Sequence, residues 1–380
     1  MTRPLDGITV ITLEQAVAAP FASRQLADLG ARVIKIERDA GDFARLYDRT
    51  VHGEASYFVW INRGKESVVL DLKTDDGLSA LKALVAHADV FIQNLAPGAI
   101  ERLGLGPEIA TALNPSLIYV SISGYGRGGS YEHKKAYDLL VQCETGVLSV
   151  TGTPEAPAKV GISIADIASG MYAYSGILSA LIQRGRTGKG DVLDISMLEA
   201  LGEWMMQPYL YAEYSGTQAP RSGAQHASIA PYGPFNTSDG TVFFGIQNER
   251  EWAKFCATVL GDESVATDPR FDSGANRVAN RPALHARIDE ALGGLSKVDV
   301  LARLDAADIA NAELRDMRSF SAHPQLIERD RWREVEIPGG TTARSLIPPV
   351  TAQSYTPLMD AVPALGEHTE SVLAEFGITK

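Results

Sequence analysis

Residues 161–186, GISIADIASGMYAYSGILSALIQRGR, carry one carboxylate, Asp166, and no further charge until Arg184. Apolar residues run round the whole helical period. Ala168, Ser169, Gly170, Ala173, Ser175 and Gly176 are small enough to let other backbones come close. A helix apolar on every face is expected to be buried on every face. The run falls short of the roughly 20 continuous apolar residues of a membrane span, and Ser and Gly interrupt it. Asp166 falls near the first turn, where free N–H groups and the helix dipole favour a carboxylate. Two readings follow. The carboxylate either caps its helix or is held partly desolvated for chemistry.

Upstream, Ile8–Leu13 reads as a buried strand, Phe21–Leu29 as a helix ended by Gly30, and Arg32–Ile36 as a second strand. The unit repeats with a strand at Ser67–Leu72, a helix at Gly77–Ala86 and a strand at Val90–Gln93. A further strand is expected at Leu117–Ile122, then a helix at Leu139–Leu148. Downstream, the basic turn Arg184–Gly190 leads to a strand at Val192–Ser196 and an amphipathic helix at Met197–Tyr214. Strands alternating with helices predict an α/β fold, a doubly wound, Rossmann-like parallel sheet.

At Ser215–Gly233 the composition shifts to that of a linker or mobile loop. Beyond it, a strand at Thr241–Ile246 and helices at Glu249–Leu260, Arg281–Leu292 and Lys297–Ala306 predict a smaller α+β domain. The expected organisation is a large domain of residues 1–215 with 335–380 and a small domain of residues 225–325. Linkers fall at 216–224 and 326–334, and Glu367–Phe376 closes the chain as a short amphipathic helix.

The net charge of −12, from 35 basic and 47 acidic residues, argues against bulk binding to nucleic acid or a membrane surface. It leaves room for an anionic ligand where positive charge is local. Cys143 and Cys256 are far apart and form neither a metal spacing nor a disulfide framework, which suits a reducing compartment. MTRPLDGITVITLE enters a strand pattern without signal-peptide architecture, so a cytoplasmic location is expected.

Ligands of doubly wound sheets bind beyond the carboxyl ends of the strands. Glu14, Gln15, Arg38, Lys73 and Asn94 fall at those ends, with Arg102 on the next short helix. Gly124–Gly129 matches G-x-G-x-x-G, but the charged SYEHKK follows it and it lies late in the domain, so it is a turn and not a nicotinamide fingerprint. No H-E-x-x-H, G-x-S-x-G or P-loop is present, and no metal site is expected. Carboxylates remain as the reactive groups.

LEQAVAAPFASRQLADLGARVIKIER, SVVLDLKTDDG, IQNLAPGAIERLG, KKAYDLLVQCETG, the Asp166 stretch and LGEHTESVL together resemble the class III CoA-transferase family, in order along essentially the whole chain. The resemblance implies that Asp166 is the nucleophile and forms a covalent aspartyl intermediate with an acyl-CoA. It implies that Gln15, Ala16, Val17, Arg38, Leu70, Lys73, Asn94, Leu95, Arg102, Lys135 and Tyr137 line the CoA site, with Tyr137 also serving the chemistry. Coenzyme A and acyl-CoA enter as substrates, with a small carboxylic acid as acceptor and no tightly bound cofactor. Family members also form interlocked homodimers, which two open-ring chains with a small inserted domain would permit.

Two departures bear on the acids. The formyl-CoA transferase branch has glutamine where Val17 stands, and its four-glycine loop is replaced here by GAQHASIAPYGPF. The α-methylacyl-CoA racemases share the fold and compete for the assignment. They use a histidine–glutamate pair whose positions match Tyr137 and Gln247, and neither a phenol nor an amide is a base at neutral pH. A CoA-binding protein without turnover is the reading from another class, and the retained Asp166 argues against it.

Overall fold

The computed structural model describes residues 2–378 and falls into two compact units. One comprises residues up to 147, 160–207 and from 327 onward; the other comprises 148–159 and 208–326.

The first unit is built on six parallel strands: β1 (Thr9–Leu13), β2 (Arg32–Glu37), β3 (Lys65–Val69), β4 (Val90–Gln93), β5 (Ile118–Ser123) and β6 (Asp191–Ser196). They lie in the order β3-β2-β1-β4-β5-β6. This is the doubly wound sheet expected from the alternation of elements. The chain winds outward from β1 to β3, then returns to the other side of β1, so the switch point lies between β1 and β4. Thr12 sits opposite Lys35 and Leu13 opposite Gln93, so the central strands end at one edge. Every residue of β4 is buried, as the continuous apolar run of an inner parallel strand requires.

On one face of the sheet, Ile11, Ile34, Phe91 and Tyr119 pack in one cluster with Leu81 and Leu84. The two leucines lie on the helix Asp75–Ala86, which is capped by Thr74, its hydroxyl accepting from Gly77 N. Burying each leucine fully is worth about 1.5–3 kcal/mol. Val372 and Leu373, on the last helix Thr369–Glu375, join the same cluster.

The first helix, Ala18–Asp28, follows β1. The Asp138 helix spans Asp138–Glu144, and the Asp166 helix spans Ile164–Thr187. The Asp166 helix is not buried on every face. Ala165, Ala168, Ser169, Ala173, Ile177 and Ala180 form one buried stripe, while Met171 and Ile182 are exposed. The small residues serve one close contact, against the first helix. A Cβ on Gly170 would lie 2.6 Å from the Ala18 carbonyl oxygen and 3.0 Å from Cδ1 of Phe21.

Other expectations shift in detail. The third strand begins at Lys65 and ends at Val69, earlier than the expected Ser67–Leu72. The helix expected at Leu139–Leu148 breaks at Gly146, whose φ is +79°. The helix expected at Met197–Tyr214 stops at Trp204 and restarts at Met206. Pro208 explains that break, because it has no N–H to donate to Trp204 and its ring crowds that carbonyl.

The second unit has a three-stranded antiparallel sheet, β7 (Tyr232–Thr237), β8 (Gly240–Gly245) and β9 (Asn311–Glu313), in that order. Phe235, Phe244, Trp252, Phe255, Leu284 and Leu304 share its core. The stretch read as a mobile linker is anchored within this unit. Arg221 donates to the carbonyls of Thr153 and Pro154, and Arg281 donates to those of His226 and Ile229.

Candidate active site

The turn from β1 into the first helix lies at the switch point and is held from both sides. The Asn94 side chain, one residue past β4, accepts from Gln15 N at 2.9 Å and donates to Gln15 O at 2.9 Å. On the other side Ala16 N donates to Asp42 Oδ1 at 3.1 Å. Ala16 itself has φ +61°, a region an L-residue without a polar side chain rarely adopts. Val17 is then the N-cap of the first helix and makes no side-chain capping bond. Because Ala18 abuts Gly170, this helix start lies one turn along the Asp166 helix from the carboxylate.

Asp166 is the third residue of its helix, after the N-cap Ser163, which makes no side-chain capping bond. The cap comes instead from Asp138, whose Oδ1 accepts from Ala165 N at 2.8 Å and from Asp166 N at 3.4 Å. Asp138 Oδ2 accepts from Gln142 Nε2 at 2.7 Å, and Gln142 in turn accepts from Val160 N at 2.9 Å. Among the described residues nothing donates a hydrogen bond to the Asp166 carboxylate. Burial pushes that carboxyl up to about 7, and the negative charge of Asp138 pushes the same way. The arrangement excludes the capping reading and leaves a half-buried, hydrogen-bond-free carboxylate.

Tyr47 completes the surroundings. Its phenol is pushed up to about 12 by partial burial and by the carboxylates of Asp42 and Asp166. Its ring meets Tyr57 edge-on at 5.4 Å. Tyr137 is the residue before the Asp138 helix and is 69% exposed. A Cβ on Gly124, just past β5, would collide with Ala136, which brings Lys135–Asp138 to the same end of the sheet.

The other expected residues distribute along that edge. Arg38 directly follows β2, is exposed, and donates from Nε to Gly41 O at 3.0 Å. Leu70 follows β3 and is buried in the core cluster, and Leu95 packs partly buried against that cluster. Lys73 is exposed in a turn, Lys135 is exposed in the irregular stretch before the Asp138 helix, and Arg102 is exposed at the end of the short helix Ala99–Arg102. Gln247 belongs to the second unit, where its N–H donates to Glu251 Oε2. Sequence reasoning missed Asp42, Tyr47 and the capping role of Asp138. Asp138 stands beside Tyr137 in the sequence, but no spacing rule links it to a helix 28 residues on.

The site thus combines a half-buried carboxylate near the switch point of a doubly wound sheet with cations along the strand ends. A family model described as CoA-transferase family III matches residues 5–369. The chain is 34% identical over 384 residues to the succinate–glutarate CoA-transferase of Agrobacterium fabrum, covering 98% of this chain and 96% of that one. It is 36% identical to the acetyl-CoA:oxalate CoA-transferase of Acetobacter aceti, covering 86% and 85%. The crystal structure of a CAIB/BAIF family protein from Brucella suis superposes with a TM-score of 0.88 at 34% identity, covering 99% and 100%. The chain belongs to CoA-transferase family III and is an enzyme of that class, acting on CoA thioesters and carboxylates.

Proposed function

We propose that the protein moves CoA from an acyl-CoA to a carboxylic acid through covalent intermediates on Asp166. The observation that carries this is the Asp166 carboxylate, raised to about 7 and free of hydrogen-bond donors, because such an oxygen keeps its basicity and its lone pairs for attack. The carboxylate adds to the thioester carbonyl, the C–S bond breaks, and a mixed aspartyl anhydride forms with CoA thiolate released. The thiolate then attacks the aspartyl carbonyl, which frees the donor acid and leaves an aspartyl–CoA thioester. The acceptor carboxylate attacks that thioester, giving a second anhydride and thiolate. Attack of the thiolate on the acyl carbonyl yields the new acyl-CoA and restores Asp166.

Gln15, Ala16, Val17, Arg38, Leu70, Lys73, Asn94, Leu95, Arg102 and Lys135 receive CoA in this reading. Arg38, Lys73, Arg102 and Lys135 supply charge to its phosphates. Tyr137 hydrogen-bonds the thioester oxygen or an oxyanion. The names of the relatives favour succinyl-CoA or another small dicarboxylyl-CoA as donor. The large α/β domain binds CoA, and the protein acts as an interlocked homodimer. Supporting the dimer, Leu139, Leu140, Ile162 and Met171, on and beside the Asp138 and Asp166 helices, are exposed in a single chain, as is Ile182 further along the Asp166 helix. The exposed free Cys143 fits a cytoplasmic, reducing setting.

Incubation with a reactive acyl-CoA followed by hydroxylamine should modify the peptide containing Asp166. Asp166→Ala should abolish transfer and retain CoA binding, and appreciable turnover by that variant would sink the mechanism. The racemase reading is tested by the wild type in heavy water. Rapid deuterium uptake at the α-carbon of a 2-methylacyl-CoA, without acid-dependent transfer, would favour the isomerase. Two differently tagged preparations, mixed under native conditions, should form no hybrid dimers.

A further inference from the structure

We propose that the buried pair Lys35–Asp42 is a positioning element for CoA binding: its carboxylate fixes the Ala16 N–H and so holds the turn Gln15–Val17 in the shape that receives CoA. The proposal rests on the reading of that turn as part of the CoA site.

Asp42 joins three parts of the unit. Its Oδ1 accepts from Ala16 N at 3.1 Å and from Ala44 N at 2.9 Å, and its Oδ2 accepts from Lys35 Nζ on β2 at 2.8 Å. Both side chains of the pair are 0% exposed. Lys35 Nζ is also 3.5 Å from Glu14 Oε1, and Lys65 Nζ reaches the same oxygen at 2.7 Å. Ser23 Oγ donates to Glu14 Oε2, and Lys65 donates to Pro20 O and Asn62 Oδ1. Residues 14, 16, 20 and 23, on the turn and the start of its helix, are therefore tied to one buried cluster of two acids and two lysines.

Stability alone does not account for such a cluster. Apolar residues of similar volume commonly serve a core as well as buried ion pairs do, because desolvation offsets the Coulomb gain. What apolar residues cannot supply is an acceptor for a strained backbone N–H. Four non-glycine residues have positive φ among those described: Ala16, His52, Asp308 and Asp330. Ala16 alone lacks a polar side chain to bond its own backbone, so its conformation depends on an outside partner. Asp42 is that partner, and it acts on the turn from the side opposite Asn94.

The test uses two double variants of the full chain. Lys35→Met with Asp42→Asn removes both charges and keeps an oxygen for the Ala16 and Ala44 N–H groups. Lys35→Met with Asp42→Leu removes the oxygen too, and Glu14 stays paired with Lys65 in both. The first should bind CoA within about threefold of wild type, and the second should lose roughly tenfold or more in CoA affinity and in kcat/KM for acyl-CoA. The KM for the acceptor acid should stay unchanged. Equal CoA affinity in the two folded doubles would overturn the proposal.

If the leucine double does not fold, hydrogen exchange at the Ala16 amide of the wild type decides. Protection comparable to the β1 amides is expected, and exchange at the rate of an exposed loop would overturn the proposal. Failure of the wild type to bind CoA would instead remove the CoA reading of the turn, an outcome distinct from either.

Discussion

Asp166→Asn is expected to stabilise the protein at about pH 8 and to change little at about pH 4. Burial and then the Asp138 charge raise the Asp166 carboxyl from 3.8 to about 7. Between those values the folded protein holds a proton that the unfolded chain has released, so stability falls as pH rises through that window. Some three pH units at about 1.4 kcal/mol each give roughly 4 kcal/mol against the ionised form. Asp166 is half-buried, and solvent screening on its open side brings the expected gain to roughly 2 kcal/mol. Asparagine keeps the shape and removes the charge. Urea midpoints of wild type and variant across the pH range measure the effect. A variant less stable than wild type at both ends, by the roughly 1 kcal/mol of a lost cap, would return Asp166 to a structural role.

Asp138→Asn keeps an oxygen for the Ala165 N–H and removes a negative charge from beside Asp166. The acid limb of the kcat/KM–pH profile should therefore move below about 7, and an unmoved limb would separate that limb from Asp166. Gly170→Ala places a methyl 2.6 Å from the Ala18 carbonyl oxygen. It should cost roughly 1–3 kcal/mol and lower kcat as the helices part, whereas an unchanged melting temperature would show that the close approach is dispensable. Arg38→Ala should leave the fold intact and raise the CoA dissociation constant by about tenfold, and an unchanged constant would remove Arg38 from the site.

The sheet was legible because its signals are local. TVITL, RVIKIE and VFIQ are strand-length runs rich in Val and Ile, each set off by a helix or a turn. The third strand was misplaced because Lys65 and Glu66 look like loop residues, yet Lys65 is buried against Glu14. A charge paired across 51 residues leaves no trace in a window of ten. The Asp166 helix was correctly placed and wrongly expected to be covered all round, since periodicity reports which faces are apolar and not what lies against them. The same limit hid Asp42 and Asp138. Each acts by accepting from backbone N–H groups far away in the sequence, and the residue types alone do not say which N–H groups those are.

Capping and nucleophilic attack compete for the same carboxylate oxygens. Had Asp166 accepted from its own helix N-terminus, the bond would have favoured its ionised form, lowered its pKa and reduced its basicity. On the proposed mechanism the chain separates the two tasks. Asp138, on another helix, satisfies the N–H groups of Ala165 and Asp166, and its charge at the same time raises the neighbouring carboxyl. Gly170 holds the Asp166 helix against the first helix, so the freed carboxylate stays fixed in position without a hydrogen bond of its own. A serine or threonine in place of Asp138 would keep an acceptor and lose the charge. Its activity at neutral pH would then measure how far the reaction depends on Asp166 basicity and how far on position alone.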